Sequence, residues 1–299
     1  MGVSRKACFS LGPPLIGLLL ACRMGSGGEA TSGTPPVSAP GVTAEAASPA
    51  APTNAPEAGA RAPLPAGSLA LVALGDSLTA GDGDDYGRGG YPERLLALVQ
   101  STRPGSTLAN FGRTGWTSDM LIQGDGSDRG QVDQALESIT EAVASGRIPM
   151  VLIWIGSNDL WYLYHYEDPS AAREEEDAAH FAANVEAILK HFDEAQAHSV
   201  LAFLDDQSQR PVASNPSMRA EAFPGISDDE VSRMSQQVVR YNEALEGLAA
   251  QYGALTVDFY DSAIFSDPST LIEDGNHPNP AGYDLVAELW FEALMPGLE

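Results

Sequence analysis

The sequence predicts an α/β fold: a parallel sheet with helices on both faces, in a three-layer sandwich. Two observations carry this. Five short apolar runs closed by turn or small residues alternate with longer segments whose apolar residues recur every three or four positions. Strands separated by whole helices pair in parallel, because only a crossover of that length returns the chain in the same direction.

Taken in order, the first run is Leu69 to Leu74, almost unbroken in apolar character as a strand covered on both faces should be, and Gly75 ends it. The others are Leu108 to Phe111, Met150 to Ile155, Val200 to Leu204 and Leu255 to Phe259. Helical spacing is carried by Val132, Leu136, Ile139 and Val143, and by Phe181, Val185, Ile188 and Phe192. A third helix follows from Val231, Met234, Val238, Tyr241, Leu245, Leu248 and Tyr252, with Ser227 and Glu230 spaced as a capping box at its start. Asn279 and Pro280 suit the cap and first turn of a last helix bearing Leu285, Val286, Leu289 and Trp290. No internal repeat is visible.

The N-terminal fifth has a different character. Arg5 and Lys6 precede the apolar run Leu15 to Ala21, too short to cross a bilayer but suited to a signal-peptide core, so residues 1–22 are expected to direct export. Leu19-Leu20-Ala21-Cys22 resembles the lipobox of bacterial lipoproteins and makes Cys22 a lipidation candidate, which would anchor the chain in the cell envelope. Ordinary cleavage to a soluble secreted protein is the other reading. Residues 23–67, rich in Ala, Pro, Gly, Ser and Thr, bury too little apolar surface to offset the entropy of ordering and read as a disordered linker. The folded domain is expected over residues 68–299.

Composition excludes several partners. Sixteen Lys and Arg stand against 41 Asp and Glu, a formal charge of -25, which argues against nucleic acid and against direct binding to an anionic membrane. Membrane attachment would therefore come through the N-terminal lipid. Both cysteines, Cys8 and Cys22, precede the domain, which leaves it without a disulfide, a thiol nucleophile or a cysteine-ligated metal.

Candidate chemistry gathers where strands stop. Ser77, in Gly75-Asp76-Ser77-Leu78, follows the first strand at the carboxyl edge, where open α/β sheets bind ligands. Asp274-Gly275-Asn276-His277 precedes the last helix, and a carboxylate three residues before a histidine lets one turn aim Asp274 at the imidazole of His277. Asn110 to Gly115 follows the second strand and Gly156-Ser157-Asn158-Asp159 the third. A glycine lets its N–H approach a reacting oxygen and an asparagine amide offers two donors, so Gly115 and Asn158 suit an oxyanion hole with the Ser77 N–H. The aromatic run Trp161, Tyr162 and Tyr164 has two readings, as a wall of a substrate pocket or as packing that holds a loop to the domain. Asp82-Gly83-Asp84-Asp85-Tyr86-Gly87 with Glu93 has the spacing of a calcium loop, but Tyr86 stands at a ligand position and a strand leads in. It reads as an acidic loop, and neither metal nor cofactor is expected.

The four blocks, in this order and at strand ends, resemble those of the SGNH (GDSL) hydrolase family over essentially all of residues 68–299. The resemblance implies a flavodoxin-like sheet of order 2-1-3-4-5. It also implies Ser77 as nucleophile, His277 as base and then acid, Asp274 as orienter, and Ser77, Gly115 and Asn158 as oxyanion donors. Gly115 is preferred to Gly112 for its distance from Asn110, as in the family's pattern. An esterase or lipase is the activity implied, with a small ester or an acylated sugar as substrate. A carbohydrate O-acyl esterase or acyltransferase acting on cell-surface polysaccharide is a second reading, and a surface-binding lipoprotein without turnover a third. Lys190 is the single lysine of the domain, and a surface so acidic and lysine-poor also suits a high-salt habitat; equal activity and stability at low and molar salt would remove that reading.

Overall fold

In the computed structural model, which describes residues 64–84 and 88–298, five parallel strands lie in the order β2-β1-β3-β4-β5. In chain order the elements are β1 (Leu69–Gly75), α1 (Ser77–Ala80), α2 (Gly90–Thr102), β2 (Thr107–Asn110), α3 (Ser118–Gln123), α4 (Gln131–Ala144) and β3 (Ile148–Trp154). There follow α5 (Ser157–Tyr166), α6 (Ala171–Glu194), β4 (His198–Ala202), α7 (Pro211–Ser214), α8 (Pro216–Ala222), α9 (Asp228–Tyr252), β5 (Leu255–Val257) and α10 (Pro280–Leu298). The α/β sandwich and the strand order are those expected. The signal-like segment, Cys22, most of the linker and Asp85 to Gly87 lie outside the described residues.

Each of the seven residues of β1 is buried, because β2 and β3 flank it and helices cover both faces. Its register with β3 runs from Leu69 opposite Ile148 to Gly75 opposite Trp154, so the two strands stop together. α2 packs on α10, while α4, α6 and α9 pack in succession. Beneath the carboxyl edge of the sheet, Trp154 stacks on Phe259 with centroids 4.3 Å apart, and Tyr91 stacks on Trp290 at 5.1 Å. This aromatic block gives the strand ends a stiff floor.

Local signals place the helix ends. Ser227 and Glu230 form the reciprocal capping box of α9. Asn279 caps α10, its Oδ1 accepting from the Gly282 N–H at 3.0 Å. One expectation shifts. Val143 and Leu285 keep the helical phase but lie at the outer border of their stripes, 59% and 41% exposed. The stretch from Asp205 to Phe223, without legible periodicity, folds as a 3-10 turn followed by the short helices α7 and α8.

Candidate active site

Ser77 is the first residue of α1, immediately past β1, and the backbone that presents it is clamped. The side-chain amide of Gln131 closes a double hydrogen bond on Gly75, accepting from its N–H at 2.9 Å and donating to its carbonyl at 2.8 Å. That carbonyl also accepts from the Arg113 N–H at 3.1 Å. A side chain at residue 75 would not fit, since a Cβ there would stand 2.3 Å from the Trp154 carbonyl oxygen and from Thr79 Oγ1. Asp76 caps α1, accepting from the Leu78 N–H at 3.0 Å. Burial pushes the Asp76 carboxyl up to about 6, against the pull of the Leu78 N–H and the charges of Arg210 and His277.

The second half of the site comes from the loop before α10. Asp274 Oδ1 accepts from the N–H groups of Asn276 and His277 at 2.8 and 3.0 Å, so one short turn fixes both partners. Asp274 Oδ2 lies 2.6 Å from His277 Nδ1, and His277 Nε2 lies 2.9 Å from Ser77 Oγ. Burial raises the Asp274 carboxyl, but the bonds from the His277 ring and from the two backbone N–H groups outweigh it and hold the group below the ordinary range. An ionised Asp274 can only accept, which puts the imidazole proton on Nδ1 and leaves Nε2 to accept from the Ser77 hydroxyl.

A cavity of about 190 Å³ opens over Ser77 and His277, and Gly115, Asn158, Trp161, Tyr162 and Arg210 also line it. The structure thus brings together Ser77, Gly115, Asn158 and His277, with Asp274 behind the ring. Gly112 and Gly115 separate clearly. A Cβ on Gly112 would strike the α1 backbone at 2.3 Å, whereas Gly115, with φ of +80°, faces the cavity and its carbonyl accepts from the Tyr162 hydroxyl at 2.9 Å. Asn158 Nδ2 donates to the Trp116 carbonyl at 2.9 Å and lies 3.5 Å from Asp76 Oδ2.

The aromatic run divides. It forms the helix α5, in which Trp161 and Tyr162 reach the cavity, Trp161 stacking on Phe223 at 4.4 Å. Tyr164 does not reach it. It is fully buried with its hydroxyl donating to Glu174 Oε1 at 2.8 Å, because two residues along a helix turn a side chain to the other side. The acidic loop also finds protein partners. Asp84 accepts from both Arg94 Nη atoms, at 2.6 and 2.8 Å, and from the Gly90 N–H, while Asp82 accepts from the Thr114 hydroxyl. Among the described residues no cluster of three or more His, Cys, Asp or Glu could hold a metal.

Three residues at the site escaped the sequence reading. Arg210, 1% exposed, is held by Asp205 through two bonds of 2.6 and 2.8 Å and donates at 2.8 Å to Asn276 Oδ1, inside the loop that carries His277. Gln131 is the clamp on Gly75. Asp159, next to Asn158, accepts from the N–H and the hydroxyl of buried Ser118 and ties α5 to α3. Only the adjacency of Asp159 to Asn158 offered any signal for it; the partners of Gln131 and Arg210 are distant in the chain.

Comparison with known proteins agrees with this fold. Residues 73–285 match the GDSL-like lipase/acylhydrolase family. A multidomain esterase of Ruminococcus flavefaciens is 22% identical over 252 residues; the match covers 77% of this chain, which spans 29% of that protein's length. The psychrotrophic esterase EstA from a Pseudoalteromonas species superposes with a TM-score of 0.51 at 17% identity, over 77% of this chain and 98% of that one. Axe2, an acetylxylan esterase from Geobacillus stearothermophilus, does so with a TM-score of 0.50 at 18% identity, over 77% and 95%. At these identities the two structures share the fold with this chain.

Burial pushes the Asp159 carboxyl up to about 6, against the Ser118 bonds. The folded state therefore holds a proton that the unfolded chain has released, and the stability tied to this group is full below pH 4 and is lost as pH rises towards 6. The loss is on the order of 2–3 kcal/mol. Asp159→Asn should lack this dependence, so that its melting temperature, relative to the native chain, rises between pH 4 and pH 7; a constant difference across that range would contradict the assignment.

Proposed function

The chain belongs to the GDSL-like lipase/acylhydrolase family, and from that premise we propose that it is a serine esterase, cleaving carboxylic esters through an acyl-enzyme on Ser77. The observation that carries the reading is the unbroken hydrogen-bonded line from Asp274 through His277 to the Ser77 hydroxyl. His277 Nε2 takes the hydroxyl proton as Oγ attacks the carbonyl carbon, and Asp274 holds the ring in the required tautomer and stabilises the imidazolium. The bond to the alcohol breaks as His277 returns the proton to the leaving oxygen. Water, deprotonated by the same ring, then attacks the acyl-enzyme and frees the acid.

The tetrahedral oxygen receives donors from the N–H of Ser77, the N–H of Gly115 and the Asn158 amide. The Trp116 carbonyl supports this role for Asn158, because it fixes the amide plane with one N–H, while the other makes only a long 3.5 Å contact with Asp76 Oδ2 that a substrate oxygen can replace. A cavity of about 190 Å³ suits a short acyl group. The name of Axe2 makes an acylated carbohydrate a second reading of the substrate within the same chemistry. Export and anchoring through Cys22 complete the proposal and rest on the residues Leu19 to Cys22.

A fluorophosphonate should label the native chain and spare Ser77→Ala, and Ser77→Ala should lose turnover of p-nitrophenyl acetate. Loss of one oxyanion donor costs ~3 kcal/mol in the transition state, so Asn158→Ala should lower kcat by about a hundredfold or more. An unchanged kcat would remove Asn158 from the mechanism. Labelled palmitate should enter the exported chain and not its Cys22→Ala variant; equal labelling of both would exclude Cys22 as the anchor.

A further inference from the structure

Beside the catalytic cavity lies a larger open cleft of about 540 Å³, and Tyr162 lines both. Tyr162 is the partition between them, held by its hydroxyl bond to the Gly115 carbonyl. The cleft is lined on one side by Tyr162 and Tyr166, whose ring centroids are 5.5 Å apart. Tyr166 is 72% exposed, the most exposed large apolar side chain of the described residues. Asp159, on the same face of α5 as the two rings, also lines it, together with Asp119, Asp177 and His180 from α3 and α6, and with Glu167 and Arg173.

The chemistry of this lining narrows the ligand. Four carboxylates against one guanidinium and one imidazole repel phosphate, uronate and anionic lipid headgroups. A hydrocarbon chain would strip water from those carboxylates without replacing its hydrogen bonds. A cation finds them already partnered: Asp119 by His180 at 2.9 Å, Asp159 by Ser118, Glu167 by Arg173 at 2.9 Å, and Asp177 by Tyr241 and Gln237. What remains complementary is a neutral ligand with many hydroxyls. A hydroxyl both donates and accepts, so it can use the spare lone pairs of a paired carboxylate and the N–H groups of Arg173 in one site. An exposed ring such as Tyr166 offers a flat apolar face to the C–H side of a pyranose.

We propose that this cleft is a subsite for the uncharged, polyhydroxylated sugar portion of the substrate, whose acyl group reaches Ser77 past Tyr162. The inference rests on the serine-esterase reading and adds to it the class of the non-reacting part.

The test compares p-nitrophenyl acetate, an acetylated xylo-oligosaccharide and acetylcholine as substrates of the native chain, Tyr166→Ala and Arg173→Ala. With the oligosaccharide, both variants should raise KM about tenfold with kcat little changed, the loss of roughly one stacking or hydrogen-bonding contact. With p-nitrophenyl acetate they should stay within about twofold of the native kcat/KM, since that ester need not enter the cleft. Parallel losses on both esters, no loss on either, or an effect confined to acetylcholine would each overturn the subsite. Calorimetric binding of the deacetylated xylo-oligosaccharide to Ser77→Ala judges the cleft without turnover. Binding there that Tyr166→Ala weakens upholds the subsite even if no ester is hydrolysed; no binding refutes it even if p-nitrophenyl acetate turns over.

Discussion

The contact on which the site depends is a single hydrogen bond of 2.9 Å between a hydroxyl and an imidazole 200 residues apart in the chain. A bond of that kind weakens within a few tenths of an ångström, so both of its ends need a rigid mounting. The serine end is mounted on β1, where Gln131 grips Gly75 by both backbone polar groups and Trp154 closes the space beside it. The histidine end is mounted on its own short turn, where Asp274 takes two backbone N–H groups and the ring at once. Pairing of β1 with β3, and the aromatic floor around Trp154, hold the strand-end frame in which the two mountings meet.

Buried charge serves this geometry more than it serves stability. Removing Asp205 and Arg210 from water has a desolvation cost that their mutual attraction need not exceed, and an apolar pair of equal volume could fill the space. An apolar pair would not supply direction. The guanidinium gives two bonds to Asp205, three residues past β4, and a third to Asn276, and so joins the segment before α7 to the loop that carries His277. Asp76 and Asp159 are another case. Both are carboxyls pushed up to about 6 by burial, held by neutral donors. They are kept for the backbone and hydroxyl hydrogens they receive, at a cost in stability near neutral pH.

Tyr162 occupies the hinge of the functional argument. Its hydroxyl holds the Gly115 carbonyl, and with it the backbone of a residue that lines the cavity over Ser77. Its ring is shared by the small cavity over Ser77 and the wider cleft towards Tyr166. One side chain thereby links the proposed oxyanion donors to the surface proposed to hold the rest of the substrate. Binding energy gathered in the cleft would then bear on the alignment of the reacting carbonyl.

Much of this could be read in the chain itself, because the signals were local. Apolar runs located the five strands, the capping residues Ser227 and Asn279 located two helix starts, and strand-end motifs located Ser77, Gly115, Asn158, Asp274 and His277. The aromatic run was legible as apolar surface but not as a helix. Taken as one wall it included Tyr164, whereas a turn of 100° per residue puts Tyr162 and Tyr166 on one side and Tyr164 in the core. Gln131 and Arg210 were invisible for a different reason: their partners Gly75 and Asn276 stand 56 and 66 residues away, and a polar side chain carries no mark of what it will meet at that distance. The sequence by itself thus determined the layers, the strand ends and the candidate site residues, since each follows from neighbours a few positions apart. Only the tertiary structure decided which polar groups clamp the site and that a second cleft opens beside it, since both depend on segments that meet only when the sheet is complete.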